Sequence, residues 1–447
     1  MLSRGKTRKR GRNFRQRSYT LTPLALLNQK PKRRGKGGFR SFLFWALLGG
    51  FLLVYGLLHF RGETGPERSP SPLESCSIPR EDWHPGPELL AEALVELDGA
   101  PCLEVSDGKG PSYTLSTSLD PDYQRWVQGR LQRSMALGGV VAALDPRSGR
   151  ILALASYNEA PEQPEAFFWK AYPAASLFKI ITAAAAIESG ILEPDSVLDY
   201  TGRNHTLYRR DLEQKVYPWS NRVTLRNAFA LSVNPVFGKI GIHSLGHDVL
   251  KQYGAAFFFG QVLPSEVPFE TSRLQVSDEP FEIAKIASGF NRTTLMSALH
   301  AAWIAAVLLH DGSAPVPWIV ESARAGGVEA FYRHEEAIPV RVLSREAAKE
   351  MRQLMEATIR TGTCRKSFRG RTRDRHLRSV TFGGKTGNIN NAERTVKYDW
   401  FLGYGTDEND DRQIALGVLM LHGRLLGHRA NVMAYDLFKA YFQLKKG

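Results

Sequence analysis

Apolar positions change their spacing along this chain, and the changes mark out its elements. Residues 41–60, Ser-Phe-Leu-Phe-Trp-Ala-Leu-Leu-Gly-Gly-Phe-Leu-Leu-Val-Tyr-Gly-Leu-Leu-His-Phe, carry no formal charge with His59 neutral, and present no polar face. As a helix they would reach about 30 Å, the thickness of a bilayer's hydrocarbon core. A globular texture begins near Tyr113. Residues 115–124 lead into an expected helix to Ala136, and 138–156 hold two apolar runs separated by Asp145-Pro-Arg-Ser-Gly149, which reads as a strand hairpin. The stretch Pro173-Ala-Ala-Ser-Leu-Phe-Lys179 then opens an alanine-rich run that predicts a helix stopping at Gly190. Residues 200–370 are mixed and mostly helical, with the clearer helices over 224–231, 294–310 and 347–359. Strand-length runs return at 380–387, 399–404 and 413–421, and 431–444 closes as an amphipathic helix. Two early strands, a helical middle, three late strands and a last helix predict an α/β fold of α+β type. Its antiparallel sheet is built from both ends of the domain, with helices on its faces.

Charge changes the picture only at the front. The chain has 447 residues and a net charge of +14, which alone would suggest a nucleic-acid partner. The excess is confined to residues 1–40, which hold fourteen Lys and Arg and no Asp or Glu; in the rest, basic and acidic residues balance. A basic run directly before an apolar 20-mer is a topology signal. It predicts a cytoplasmic tail over 1–40, an uncleaved transmembrane anchor over 41–60, and export of everything after residue 61. No nucleic acid is expected as a partner. Residues 61–112 read as a Pro/Ser/Gly-containing stalk and a short N-terminal segment, and 113–447 as the main domain. Cys76 and Cys102 bracket the segment that follows the stalk, where an exported disulfide and free thiols are both open readings. Cys364 is left over as an incidental thiol. A second basic run, 365–378, reads as a solvated loop.

The candidate chemistry begins at Ser176 and Lys179, three apart on one helical turn. A serine hydroxyl needs a base before it is a useful nucleophile, and a lysine pushed toward its neutral form can supply one. A Ser-x-x-Lys arises by chance about once in a chain of this length, so it carries little alone. Ser232-Val-Asn234 and Lys385-Thr-Gly387 complete an ordered set of three short motifs that serine–lysine acyl-transfer sites use.

With its flanks, the set resembles the penicillin-binding transpeptidases. Val223-Thr-Leu-Arg-Asn-Ala-Phe-Ala-Leu-Ser-Val-Asn-Pro-Val-Phe-Gly238, Gly139-Val-Val-Ala-Ala-Leu-Asp-Pro-Arg-Ser-Gly149 and Asp399-Trp-Phe-Leu-Gly-Tyr404 all look like that family, as do the gaps between motifs. The resemblance covers residues 113–447. It implies a β-lactamase/transpeptidase-like fold with an all-helical subdomain. By the same resemblance, Ser176 is the nucleophile and Lys179 its base. Ser232 passes a proton to the leaving amine, and Asn234 holds Lys179 and the substrate. Lys385 keeps the site electropositive and, with Thr386, binds the terminal carboxylate of a D-alanyl-D-alanine stem peptide. Gly387 completes that motif. The backbone N–H groups of Ser176 and Asn388 form the oxyanion hole. The family usually carries Thr or Ser where this chain has Asn388, which replaces a hydroxyl by an amide.

The implied activity is D,D-transpeptidation of peptidoglycan at the bacterial cytoplasmic membrane, with the catalytic domain outside the cytoplasm. β-Lactams are the implied inhibitors and a membrane glycan polymerase is a candidate partner; no cofactor or metal is implied. A D,D-carboxypeptidase is the alternative within the class, and a β-lactam sensor or non-catalytic cell-wall scaffold the alternative outside it. The Glu-x-x-Leu-Asn element of class A β-lactamases is not evident after Ser232, and 61–112 offers no room for a glycosyltransferase or a large pedestal domain.

Overall fold

The strands expected at the two ends of the domain do pair with each other. The computed structural model describes residues 112–159, 170–325, 332–336 and 338–444, together with Leu90 and the strand 102–105. The tail over 1–40, the apolar segment 41–60 and most of the stalk lie outside the described residues. Among those described, no helix is long and apolar enough to cross a membrane.

In chain order the main elements are β1 (Cys102–Val105), β2 (Tyr113–Thr117), α1 (Pro121–Gln132), β3 (Gly138–Leu144), β4 (Ile151–Asn158), α2 (Lys179–Glu188), α3 (Leu225–Ala230), α4 (Asn234–Ile240), α5 (Gly246–Ala256), α6 (Pro280–Ala287), α7 (Ala298–Leu309), β5 (Val320–Ala325), α8 (Arg345–Arg360), β6 (Val380–Asn390), β7 (Lys397–Asp407), β8 (Gln413–His422) and α9 (Ala430–Leu444). The central sheet has the order β6-β7-β8-β3-β4, all neighbours antiparallel. A second antiparallel sheet of β1, β2, β5 and the short strand Tyr332–Arg333 was not foreseen.

The central strands are buried on both faces, so their alternation sorts apolar residues between two cores. Val140, Ala142, Leu144, Trp400, Leu402, Ala415 and Leu419 join the core that contains α2 and α7. Val141, Ala143, Phe401, Leu416, Val418 and Met420 join the core beneath α1 and α9. Helix starts follow side-chain caps. Asp120 accepts the N–H of Tyr123, with Pro121 at the first helical position of α1. Thr224, Ser297 and Ser344 cap α3, α7 and α8 in the same way.

Three expected boundaries move, each for a local reason. The helix expected to Ala136 ends at Gln132, because Met135 takes a positive φ of 56° in the turn to β3. The helix expected over 294–310 starts at Ala298, because Leu295 and Met296 pair as a short strand with Tyr172 and Pro173. That pairing also removes Pro173 from the serine helix. Ala175 turns the chain at φ 49°, Ala175–Phe178 form a 3₁₀ turn, and the α-helix begins only at Lys179. Gly190 then takes φ 67° just past the helix end, as expected of a stop residue.

Helix α7 presses so closely on the sheet that a Cβ built on Gly417 of β8 would lie 1.9 Å from the Ala298 carbonyl oxygen. Gly417→Ala is therefore expected to destabilise the domain by about 2–3 kcal/mol, read as a lowered urea midpoint with an unchanged slope.

Candidate active site

All eight residues singled out in the sequence meet around one cleft. Ser176 lies in the 3₁₀ turn and Lys179 one turn on, at the head of α2. Lys179 Nζ is 3.0 Å from Ser176 Oγ and 2.7 Å from Asn234 Oδ1, and it also donates to the Ser288 carbonyl. Asn234 is placed by the turn between α3 and α4, where its own N–H donates to the Asn204 carbonyl at 2.6 Å. In that turn Ser232 takes a φ of 58°, a left-handed conformation that costs a non-glycine residue about 1 kcal/mol or more. Its hydroxyl accepts from Lys385 Nζ at 3.0 Å, and Lys385 also donates to the Thr386 carbonyl at 2.8 Å.

Strand β6 forms the facing wall. Gly387 lies against the serine turn, where a Cβ would stand 3.1 Å from Ser176 N. Trp400 of β7 fixes the same turn by donating from Nε1 to the Pro173 carbonyl at 2.9 Å. Thr386 shares a 2.6 Å hydroxyl–hydroxyl bond with Thr363, and Asn388 is exposed at the cleft edge. The cleft has a volume of about 620 Å³, and its lining includes Ser176, Ser232, Asn234, Thr386, Gly387 and Asn388.

Both lysines are fully buried. Among the described residues, every hydrogen-bond partner they have is a neutral oxygen. Aromatic faces complete the surroundings, with Lys179 Nζ 5.6 Å from the Phe237 ring centroid and Lys385 Nζ 5.5 Å from that of Phe229. Burial without a counter-ion disfavours an ammonium. Burial, reinforced by the nearby Lys385 charge, holds the pKa of Lys179 well below that of an ordinary lysine. Burial brings that of Lys385 down to about 7. An amine so biased toward neutrality, in hydrogen-bond reach of a serine hydroxyl, has the arrangement of a general base and its nucleophile.

Residues 139–439 match the model of the penicillin binding protein transpeptidase domain. The chain belongs to this family. The chain is 24% identical over 346 residues to the peptidoglycan D,D-transpeptidase PbpA of Mycolicibacterium smegmatis, covering 69% of this chain and 67% of the relative. To penicillin-binding protein PbpB of the same organism it is 26% identical over 350 residues, and there it spans only half of the relative's length. The D,D-transpeptidase domain of a peptidoglycan glycosyltransferase from Eggerthella lenta superposes with a TM-score of 0.61 at 20% identity, over 74% of this chain and 83% of the other. Penicillin-binding protein A from M. tuberculosis, in an imipenem acyl-enzyme complex, superposes at 0.60 and 21% identity, over 74% and 79%. At these identities the superpositions establish the penicillin-binding transpeptidase fold.

The family's motifs do not reveal several residues that shape this cleft. The Ser288 carbonyl holds Lys179, and a backbone atom has no side-chain signature. Gly289 takes φ 66° beside it, and a Cβ there would lie 1.9 Å from the Ala175 carbonyl oxygen, so the turn after α6 packs directly on the serine turn. Gly289 follows α6 by two residues, the place where a helix-ending glycine is common, but no helix was expected over 280–287. Thr363, His205 and Arg429 also line the cleft, and none belongs to a motif.

The lysines make stability depend on pH with a defined sign. Their folded-state pKa values lie below the unfolded value near ~10.4, so the unfolded chain binds more protons in between. Stability therefore rises with pH across the window from about 7 to ~10 for Lys385. Lys385→Met is expected to reduce that slope, by on the order of 1 kcal/mol per pH unit. Urea midpoints of the two proteins at about pH 7.5 and ~9.5 provide the check.

Proposed function

We propose that this protein is a peptidoglycan D,D-transpeptidase that works through an acyl-enzyme on Ser176. The observation that supports this most directly is a buried lysine amine, without a counter-ion among the described residues, 3.0 Å from the Ser176 hydroxyl. Lys179 takes the hydroxyl proton as Ser176 Oγ attacks the carbonyl carbon of the penultimate D-alanine. The developing oxyanion lies between the serine turn and β6, toward the backbone N–H groups of Ser176 and Asn388. Ser232, hydrogen-bonded to Lys385, delivers a proton to the departing D-alanine nitrogen as the peptide bond breaks. Asn234 keeps the Lys179 amine aimed at Ser176. An acceptor amine from a second stem peptide then attacks the ester carbonyl and gives up its proton along the same path. The cross-link forms and Ser176 is released.

A strained β-lactam carbonyl enters by the same first step, and its tethered leaving group stays in the cleft. The name of PbpA and the acyl-enzyme captured in penicillin-binding protein A support this reading for the family. In this proposal residues 41–60 anchor the enzyme at the cytoplasmic membrane, near lipid-borne substrate, with 1–40 on the cytoplasmic side. A membrane glycan polymerase is the matching partner.

Full-length protein in detergent, treated with a fluorescent penicillin, is expected to form a stable covalent adduct that Ser176→Ala abolishes. Lys179→Met should slow its formation by about 10²–10⁴-fold. Label that forms and then vanishes within minutes would instead indicate a hydrolase of β-lactams. With stem peptides, a cross-linked dimer is the expected product. D-Alanine release without dimer would assign the enzyme as a carboxypeptidase.

A further inference from the structure

An acceptor amine reaches the cleft near neutral pH largely as an ammonium. Two of its protons must leave before an amide can form. The path through Ser232 and Lys179 returns one of them to Ser176 Oγ as the ester C–O bond breaks. The other needs a second base, on the side from which the amine arrives. That side follows from the chemistry. The acceptor nitrogen attacks from where the leaving nitrogen departed, and the departing nitrogen takes its proton from Ser232 in the reaction proposed above. Forward and reverse steps share one geometry, so the acceptor amine lies beside Ser232.

The cleft lining holds no Asp or Glu, and His205 is its one imidazole. His205 lines the cleft together with Ser232 and Asn234. The loop that carries it is fastened to the Ser232–Asn234 turn. Its neighbour Asn204 accepts the Asn234 N–H on its carbonyl at 2.6 Å and the Tyr200 hydroxyl on its side chain at 2.9 Å. The Thr206 N–H closes a turn on the Arg203 carbonyl at 3.2 Å, with His205 inside it. Just beyond, Leu207 is buried in a cluster with Leu212 and Ala284. The strand Val197–Tyr200 that leads into the loop pairs with Asn221–Thr224, which leads into α3. The imidazole is thus carried on a short, pinned loop.

His205 remains open to solvent at the cleft rim. Partial burial, reinforced by the charges of Lys179 and Lys385 and opposed by the Ser232 backbone, holds its pKa below that of an ordinary histidine. Those lysines, from α2 and β6, are the charged groups that act on it. At neutral pH the ring therefore has a lone pair free to take a proton, and its solvent face returns that proton to water. Lys179 and Lys385 are fully buried and held by Ser176, Asn234, Ser288, Ser232 and Thr386, so neither has that exchange with water.

We propose that His205 is the acceptor-side base of this cleft, taking one proton from the ammonium of the incoming amine beside Ser232 and passing it to solvent. The neutral amine then forms the C–N bond at the ester carbonyl, the C–Oγ bond breaks, and the amine's second proton returns to Ser176 Oγ through Ser232 and the lysines. The inference rests on the acyl-transfer reading above. It confines His205 to the second half of the reaction, because acylation by a β-lactam or a thioester involves no incoming ammonium.

The test uses full-length protein in detergent, acylated by an N-acyl-D-alanyl-thioglycolate. Two acceptors are presented together and their products are separated by chromatography. D-Alanine is an ammonium at neutral pH, whereas hydroxylamine is largely unprotonated there and needs no such base. The ratio of the two products is independent of the folded fraction, of the acylation rate and of the state of the two lysines. His205→Gln is expected to lower the D-alanine product relative to the hydroxylamine product by about 10²-fold near pH 7, while fluorescent penicillin still labels Ser176. In the parent the ratio should stay nearly flat from about pH 7 to ~9, and in the variant it should climb toward the parent value as solution base supplies free amine. A ratio that the substitution leaves unchanged overturns the proposal. A lowered ratio that does not recover at high pH would make His205 a contact for D-alanine and not its base, which overturns it equally. Hydrolysis and hydroxylamine products from the parent, with none from D-alanine, would overturn the acceptor step while the acyl-enzyme stands. No adduct with thioester or penicillin would overturn the acyl-transfer reading, and the role of His205 with it.

Discussion

Two lysine side chains buried side by side, with no carboxylate partner among the described residues, set the terms for the rest of this cleft. An unpaired ammonium in a protein interior costs several kcal/mol, and the ordinary remedy is an acidic partner. Here the remedy is different. Lys179 is held by a serine hydroxyl, an asparagine oxygen and the Ser288 carbonyl, and Lys385 by a hydroxyl and the Thr386 carbonyl. A carboxylate in either place would neutralise the charge but keep the proton on nitrogen, which is the wrong state for a base. Neutral oxygens and aromatic faces orient the amines without fixing their protonation. The left-handed backbones at Ala175 and Ser232 lie at the two serine-bearing turns, where the hydroxyls must be aimed at these amines.

The sheet was legible because its strands are long apolar runs bounded by turn residues, and because the two groups of strands lie at opposite ends of the domain. The helix over 347–359 was legible for a similar reason, and α8 extends it by only a residue or two at each end. The errors came where tertiary pairing overrode a local signal. Pro173 looks like a helix-starting proline, yet it pairs with Leu295, a residue more than a hundred positions away. Such a bridge leaves no trace in local periodicity. The site was legible to the extent that its chemistry needs particular side chains at fixed spacing. Ser176, Lys179, Ser232, Asn234 and Lys385 have hydroxyl, amide and amine groups that few other residues can replace. The Ser288 carbonyl, Gly289, Thr363 and Arg429 were not legible, because they contribute through position, and position depends on how distant segments pack.

The basic run at 365–378 shows how composition can describe a surface and miss its support. Its arginines are mostly exposed, as a solvated loop requires. The same segment buries Phe368 among Phe382, Phe401 and Phe438, buries Leu377, and is tied by Asp374 to Lys439 at 2.9 Å. It is a series of turns held to α9 and β6, and it delivers Thr363, just before the run, to the Thr386 hydroxyl. Cys364 shares that burial, which pushes its thiol pKa up to about 12, so its thiolate is strongly disfavoured.

The order of strands in the central sheet has a consequence for how this molecule comes into being. β3 and β4 are made early, yet β3 finds its outer neighbour only in β8, near the end of the chain, and β6 and β7 join the sheet through β8. A nascent chain that has completed α2 already contains both Ser176 and Lys179. It lacks the strand that forms the opposite wall, the tryptophan that fixes the serine turn and the lysine that meets Ser232. Its half-finished sheet must wait through more than two hundred residues of intervening helices and loops, and such long-range closure is slow. The nucleophile is thus present long before the enzyme is. The serine turn gains its facing wall, and Ser232 its lysine, only once β8 has carried β7 and β6 into the sheet.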